Sequence, residues 1–337
     1  MDTIVVLGAT GQQGNSVVNS LLQNGNWKVR GVTRNLESEP AKKLAAKGVE
    51  VVAADANDES SLVKAFAVSV PPNRDRPIPW LPTKYLQQGA SAVFSLTNYW
   101  ESLFQLGRDG AGLQEQKQQT NIANAAAKIP TLKHYVFSTL PPAGKVSGGQ
   151  LKVPHFDYKA AVEDYIRETL PELASKTTYL WVGWYASNLT GSKPLFDPVS
   201  RKSIWLQPSI GSAKLPIAGQ TSVNVGIAVE AIVSNPELTK GKYVPLVTDY
   251  LSFEEVIKEW SAVTGKNGVY SEVSDVVAES IWGIYGSELA SQFRWSESYP
   301  NWSACKPENE VVSLEKLGIR EKVVGLKAAL EALKSDL

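Results

Sequence analysis

Gly8, Gly11 and Gly14 recur at three-residue spacing between an apolar run, Thr3-Ile4-Val5-Val6-Leu7, and a helix-like run over 15–23. Glycines set after a strand and before a helix make an anion site. The chain turns tightly at Gly8, Gly11 lets the backbone approach a diphosphate, and Gly14 lets the helix lie against the strand while its N-terminus offers unpaired N–H groups. Thr10, Gln12 and Gln13 share this turn and are candidate phosphate contacts. A second strand ends in Thr33-Arg34, about twenty residues beyond Gly14, where an NAD site places a carboxylate for the ribose 2′-hydroxyl. A guanidinium there pairs with a 2′-phosphate instead, so the expected nucleotide is NADP(H). A third strand ends in Asp55-Ala56, where the acid either meets the adenine edge or belongs to the cap of the helix starting near Asp58.

The elements that must hold these residues follow from the apolar pattern. Continuous apolar runs near 3–8, 27–33, 49–53, 91–97, 133–138 and 177–183 alternate with helical patterns near 12–24, 40–47, 58–67, 110–127 and 157–170. That alternation predicts an α/β fold of Rossmann type with a doubly wound parallel sheet over residues 1–185. An irregular Pro-rich insertion, about 68–88, interrupts it. Residues 186–337 are expected to form a smaller mixed α/β domain, with some segments returning to the first. Within it, 188–220 is rich in Gly, Pro and Ser and reads as irregular. Helices are expected at 223–234, 251–265, 274–285, 287–293 and 321–335, and a strand at 242–248, with Ser252 capping the second helix.

Composition narrows the function. The 337 residues carry zero formal net charge, so no basic stripe suits a nucleic-acid backbone. One cysteine, Cys305, and two histidines, His134 and His155, exclude an internal disulfide and a His- or Cys-rich metal site. No apolar stretch reaches membrane-spanning length, and the first apolar run is too short for a signal peptide; a cytoplasmic address is expected, as monomer or homodimer. Several of the ten tryptophans fall in the C-terminal half, which suits an apolar pocket.

In doubly wound sheets ligands bind beyond the carboxyl ends of the strands. The corresponding stretches here are Thr97-Asn98-Tyr99-Trp100, Ser138-Thr139, His155-Phe-Asp157-Tyr158-Lys159 and Gly183-Trp184-Tyr185 to Asn188. Thr97, Asn98, Trp184, Tyr185 and Asn188 are candidate cofactor contacts, and Tyr99, Trp100, Trp184 and Tyr185 candidate substrate contacts. Together with the glycine turn and Thr33-Arg34, these stretches resemble the NmrA-like branch of the atypical short-chain dehydrogenase/reductases, over roughly residues 3–265.

The resemblance implies a cleft between two domains and a preference for NADP(H). It also implies a role for Lys159: in the parent superfamily a Tyr-x-x-x-Lys pair shares one helical face, the lysine bonding the nicotinamide ribose and the tyrosine giving a proton. Here the tyrosine position holds His155, and Tyr158 points elsewhere on the helix. His155 is either a general acid or base suited to neutral pH, or a structural residue at the hinge. Ser138 or Thr139 matches the superfamily hydroxyl, and Asp157 is a further candidate for proton transfer. His134 reads as structural. The expected activity is reduction of a C=O, C=N or activated C=C bond in a hydrophobic small molecule, with a role in secondary metabolism expected by analogy. Two alternatives stay open: a redox-neutral rearrangement on bound NADP(H), and a non-catalytic NADP(H) sensor with a protein partner.

Overall fold

The computed structural model describes residues 1–69 and 87–337, and the Pro-rich run 71–82 lies outside them. The apolar runs form strands β1 (Asp2–Val6), β2 (Trp27–Thr33), β3 (Glu50–Ala53), β4 (Ala92–Ser95), β5 (His134–Thr139), β6 (Thr177–Val182) and β7 (Tyr243–Leu246), of which β3 at the sheet edge is only partly covered. Their order is β3-β2-β1-β4-β5-β6-β7, parallel throughout. The fold is therefore of Rossmann type. Strand order reverses between β1 and β4, which opens a crevice at their carboxyl ends.

Helices cover both faces because each crossover between parallel strands must bury its own apolar stripe. The crossovers up to β6 supply α1 (Gln12–Asn24), α2 (Glu39–Ala46), α3 (Glu59–Phe66), α4 (Trp100–Ala127) and α5 (Pro154–Thr169). α6 (Thr221–Ser234) is apolar nearly all round and packs on α1, burying Val225, Val229 and Ile232. The pattern over 110–127 placed the start of α4 ten residues late. The preceding turns are helical too, and Gly107 (φ 74°, ψ 176°) breaks the run between them.

After β6 the chain builds a second apolar cluster around Trp184, Trp205, Phe253, Trp260 and Phe293. The expectation of an irregular 188–220 is overturned. The stretch holds strands Leu195–Asp197, Lys202–Gln207 and Lys214–Gly219. The second of these pairs in parallel with Gly268–Glu272, and the third pairs antiparallel with Asp249–Ser252. α7 (Phe253–Thr264) starts in a capping box between Ser252 and Glu255. It is followed by α8 (Asp275–Trp282) and α9 (Ile284–Ser298), then α10 (Leu326–Ala332), which is shorter than the 321–335 expected.

Glu163 of α5 ties the helix to three strands. Its carboxylate accepts from Thr139 Oγ1 (2.9 Å) on β5, Trp181 Nε1 (3.3 Å) on β6 and Tyr243 OH (2.8 Å) on β7. Burial pushes its pKa up from 4.5 to about 6, against the opposing pull of the Lys306 charge and these donors. A raised carboxyl favours the native state while it is protonated. That contribution is full below pH 4.5 and is lost as pH rises through about 6. Glu163→Gln should therefore flatten the fall in unfolding free energy between those pH values, removing a slope worth about 2 kcal/mol. Urea unfolding at a series of pH values checks this; an unchanged slope would refute it.

Candidate functional site

A cleft of 640 Å³ opens at the carboxyl ends of the strands and runs from the glycine turn to α9. At one end, Gly8 turns at φ 62° and Gly11 N donates to Gly8 O (2.8 Å). α1 begins there without a side-chain cap, and Asn15 is the first residue of its opening turn whose N–H closes back on Gly11 O. Thr10, Gly11, Gln12 and Gln13 line the cleft, whereas Gly14 packs behind them. A Cβ on Gly14 would stand 2.2 Å from Gly8 O, so helix and turn can meet only through glycine. The side chains brace the turn: Gln12 Nε2 donates to Ser187 Oγ (2.8 Å), Gln13 Nε2 to Tyr185 OH, and Gln13 Oε1 accepts from Ser138 Oγ (2.8 Å). Such a turn offers backbone donors and the positive end of a helix to an anion.

Thr33, Arg34, Asp55 and Ala56 line the next section. Arg34 is exposed and pairs with Glu101 (3.0 Å) of α4, a solvated contact of about 0–1 kcal/mol that an incoming anion can displace. Asp55 faces the cleft and accepts from Asn57 N (2.8 Å), and the cap of α3 is Asp58, which accepts from Ser60 N (2.9 Å).

Lys159 and His155 stand one turn apart on α5 and both line the cleft. Lys159 Nζ is held by Glu115 Oε1 (2.8 Å) and Thr97 O (3.3 Å). Two of its three donors are thereby used, leaving one for a ligand. Glu115 is buried and also accepts from Thr97 Oγ1 (3.0 Å). His155 Nδ1 meets Glu288 Oε1 (2.5 Å) of α9, and the same oxygen accepts from His155 N (3.0 Å). Glu288 Oε2 accepts from Arg108 Nε (2.6 Å). Burial alone would push the Glu288 carboxyl up, but the His155 and Arg108 donors outweigh it and hold it at about 2, ionised at neutral pH.

Two of the expected proton carriers are otherwise occupied, and a third is turned away. Ser138 is bonded to Gln13 and Thr139 to Glu163, although both border the cleft. Asp157 lies outside the lining: its oxygens accept from Gly144 N (2.7 Å) and Val153 N (2.9 Å), and burial pushes its pKa up. It sits two residues from His155, which on a helix means nearly the opposite face. Tyr158 also leaves the cleft, its hydroxyl donating to Asp109 (3.1 Å). His134 is buried and bonded to Thr178 (2.8 Å).

Aromatic rings build the far wall. Trp100 packs against His155 (centroids 4.9 Å) and Tyr285 (5.2 Å), and Trp184 against Trp205 (6.1 Å). Tyr99 is nearly fully buried, borders the cleft beside Trp100 (5.3 Å) and His155 (5.6 Å), and donates its hydroxyl to Arg108 O (3.0 Å). Tyr185, Asn98 and Asn188 border the same space. Arg108, Glu115, Tyr285, Glu288, Leu289 and Phe293 were not expected from sequence. Their partners lie far along the chain, and no local spacing marks them.

The sheet order, the glycine turn and the strand-end cleft define a Rossmann-type α/β protein. The chain belongs to the NmrA-like family, whose model matches residues 1–70 and 82–321. It is similar to the NmrA-like family domain-containing oxidoreductase FrzB of Cladobotryum sp (29% identity, 80% of this chain and 76% of that one). A second relative is oxidoreductase lnaB of Aspergillus flavus (27% identity, 80% and 75%). The fold is also that of NmrA, a negative transcriptional regulator, crystallised with NADP (TM-score 0.68, 21% identity, 99% and 91% covered). Among the described residues, no helix is long and apolar enough to cross a membrane.

Gly14→Ala should lower stability by about 1–3 kcal/mol, because its methyl group would force the turn off the helix. Thermal unfolding of the variant measures it, and a melting temperature equal to the parent's would show that the turn yields freely.

Proposed function

We propose that this chain is an NADP(H)-dependent oxidoreductase that reduces a C=O, C=N or activated C=C bond in a hydrophobic small molecule. The carrying observation is that Lys159 and His155 share one helical face on the wall of the cleft that begins at the glycine turn. The oxidoreductase names of the fungal relatives support it. Bound nicotinamide supplies the hydride. The chain's own residues bind, orient and move the proton. The first turn of α1 takes the diphosphate, and Arg34 exchanges Glu101 for the 2′-phosphate. The remaining donor of Lys159 holds ribose hydroxyls. Trp100, Trp184 and Tyr285 take a flat apolar substrate and keep water from it. His155 stands where the superfamily tyrosine would, and gives its proton to the atom that gains negative charge.

Calorimetry with NADPH and NADH tests the nucleotide, and loss of reduced-nicotinamide absorbance with a panel of ketones, imines, enones and quinones tests the chemistry. Arg34→Asp should weaken NADPH by about 10–100-fold, as expected for a lost charged hydrogen bond, and leave NADH little changed. His155→Ala should lower kcat about 10²–10⁴-fold without loss of nucleotide affinity. Lys159→Ala should impair both. Tight NADPH binding with no turnover on any substrate would replace this assignment with a nucleotide-sensing role.

A further inference from the structure

His155 is held by more than its place on α5. Glu288 lies 133 residues away in sequence and is completely buried, and Arg108, which follows the Gly107 break in α4, reaches it from the other side. Both Glu288 oxygens are used: one accepts from His155 N and Nδ1, the other from Arg108 Nε, while Arg108 Nη2 donates to Ser291 Oγ (2.8 Å). An ionised carboxylate only accepts, so Nδ1 must be the donor in this contact. Nε2 makes no bond within the described residues and is not among the fully enclosed unpaired atoms, so it retains contact with the cleft. Trp100 (4.9 Å) and Phe156 (4.7 Å) pack on the imidazole and oppose its rotation.

We propose that Glu288 and Arg108 are positioning residues for proton transfer by His155, fixing the proton on Nδ1 so that Nε2 alone serves the substrate. This rests on the assignment of His155 as the proton-carrying group. In the reducing direction the imidazolium would give its Nε2 proton to the substrate heteroatom or carbanion, and bound NADPH would supply the hydride to carbon. The ring is left neutral with Nδ1–H still bonded to Glu288. Solvent then returns one proton to Nε2. Arg108 keeps Glu288 charged and immobile while the ring charge comes and goes. The arrangement draws on α4, α5 and α9, so the acid is complete only when all three elements are packed together.

The chain has only two histidines, which makes the ring nitrogens directly readable. Long-range proton–nitrogen correlation on isotope-labelled protein, assigned with His134 and His155 variants, should show the neutral His155 ring protonated on Nδ1 and bare at Nε2. Protonation on Nε2 in the unsubstituted protein would overturn the proposal, whether or not any variant folds. In Glu288→Ala the Nε2–H form should appear for His155 and leave His134 unchanged. Turnover should fall about tenfold or more with the NADPH dissociation constant within about twofold, a loss confined to kcat. Glu288→Asp should recover part of it. Persistence of Nδ1–H in Glu288→Ala, or undiminished turnover, would also overturn it. Absence of any turnover in the unsubstituted protein would defeat the oxidoreductase assignment, while the nitrogen spectrum would still decide the positioning role.

Discussion

A carboxylate taken out of water must be paired or it unfolds its surroundings, and three of them stand behind the cleft. Glu115 holds Lys159, Glu163 holds Thr139 and Glu288 holds His155. Each is 2% exposed or less, so water contributes almost nothing to their solvation. The charge balance differs among them. Glu115 and Glu288 face cationic partners directly, whereas Glu163 relies on neutral donors and feels Lys306 only at a distance, which is why burial prevails at Glu163 and is outweighed at Glu288. The cleft wall is thus set from behind by groups whose partners cannot be changed cheaply. Breaking such a pair costs several kcal/mol, against less than one for the exposed Arg34–Glu101 contact. The rigid part of the site is the part proposed to do chemistry, and the loose part is the part proposed to admit the nucleotide.

The segment between β4 and the Gly107 break joins these parts. Thr97 O supports Lys159, Trp100 lies on His155, Tyr99 OH reaches back to Arg108 O, and Glu101 meets Arg34. Four contacts to four different functions come from a few consecutive residues. The distribution follows the change from extended chain to helix: Thr97, before α4, contributes its backbone carbonyl, while Trp100 and Glu101 open the helix with side chains about 100° apart that reach different walls. An anion that draws Arg34 away from Glu101 acts on the same short helix that carries Trp100.

What was legible in the chain was what depends on near neighbours. Strand and helix alternation through β6, the glycine turn at Gly8–Gly14 and the one-turn relation of His155 to Lys159 all follow from local spacing. Local spacing misled where pairing is distant. Lys202–Gln207 is a strand because Gly268–Glu272 lies beside it, and its own Gly- and Ser-rich surroundings concealed it. Gly107 hid the first turns of α4 because a breaker inside a helical run reads as an end. Asp157 drew notice by adjacency to His155, yet its position two residues on turns it toward the backbone of 144 and 153. Glu288 could not be found at all from sequence: an isolated glutamate in a helical stretch of mixed polarity looks solvated until the fold encloses it.

If His155 stands in the proposed role of the superfamily's tyrosine, that has a physical consequence for everything packed around it. A phenol has one polar atom, so a buried tyrosine acid needs only that atom directed at the substrate. An imidazole has two, and burying it leaves the second nitrogen to be satisfied. In the proposed reaction the ring also gains and loses a full charge, which a low-dielectric wall of Trp100, Phe156 and Tyr99 would resist. A fixed negative charge at the rear nitrogen answers both requirements, and that charge in turn needs a cation that never titrates. Arginine meets that need where lysine or histidine would not. The His155–Glu288–Arg108 chain is therefore what a buried imidazole acid requires, and the position of Arg108 at the Gly107 break supplies its last member from an element that already shapes the cleft.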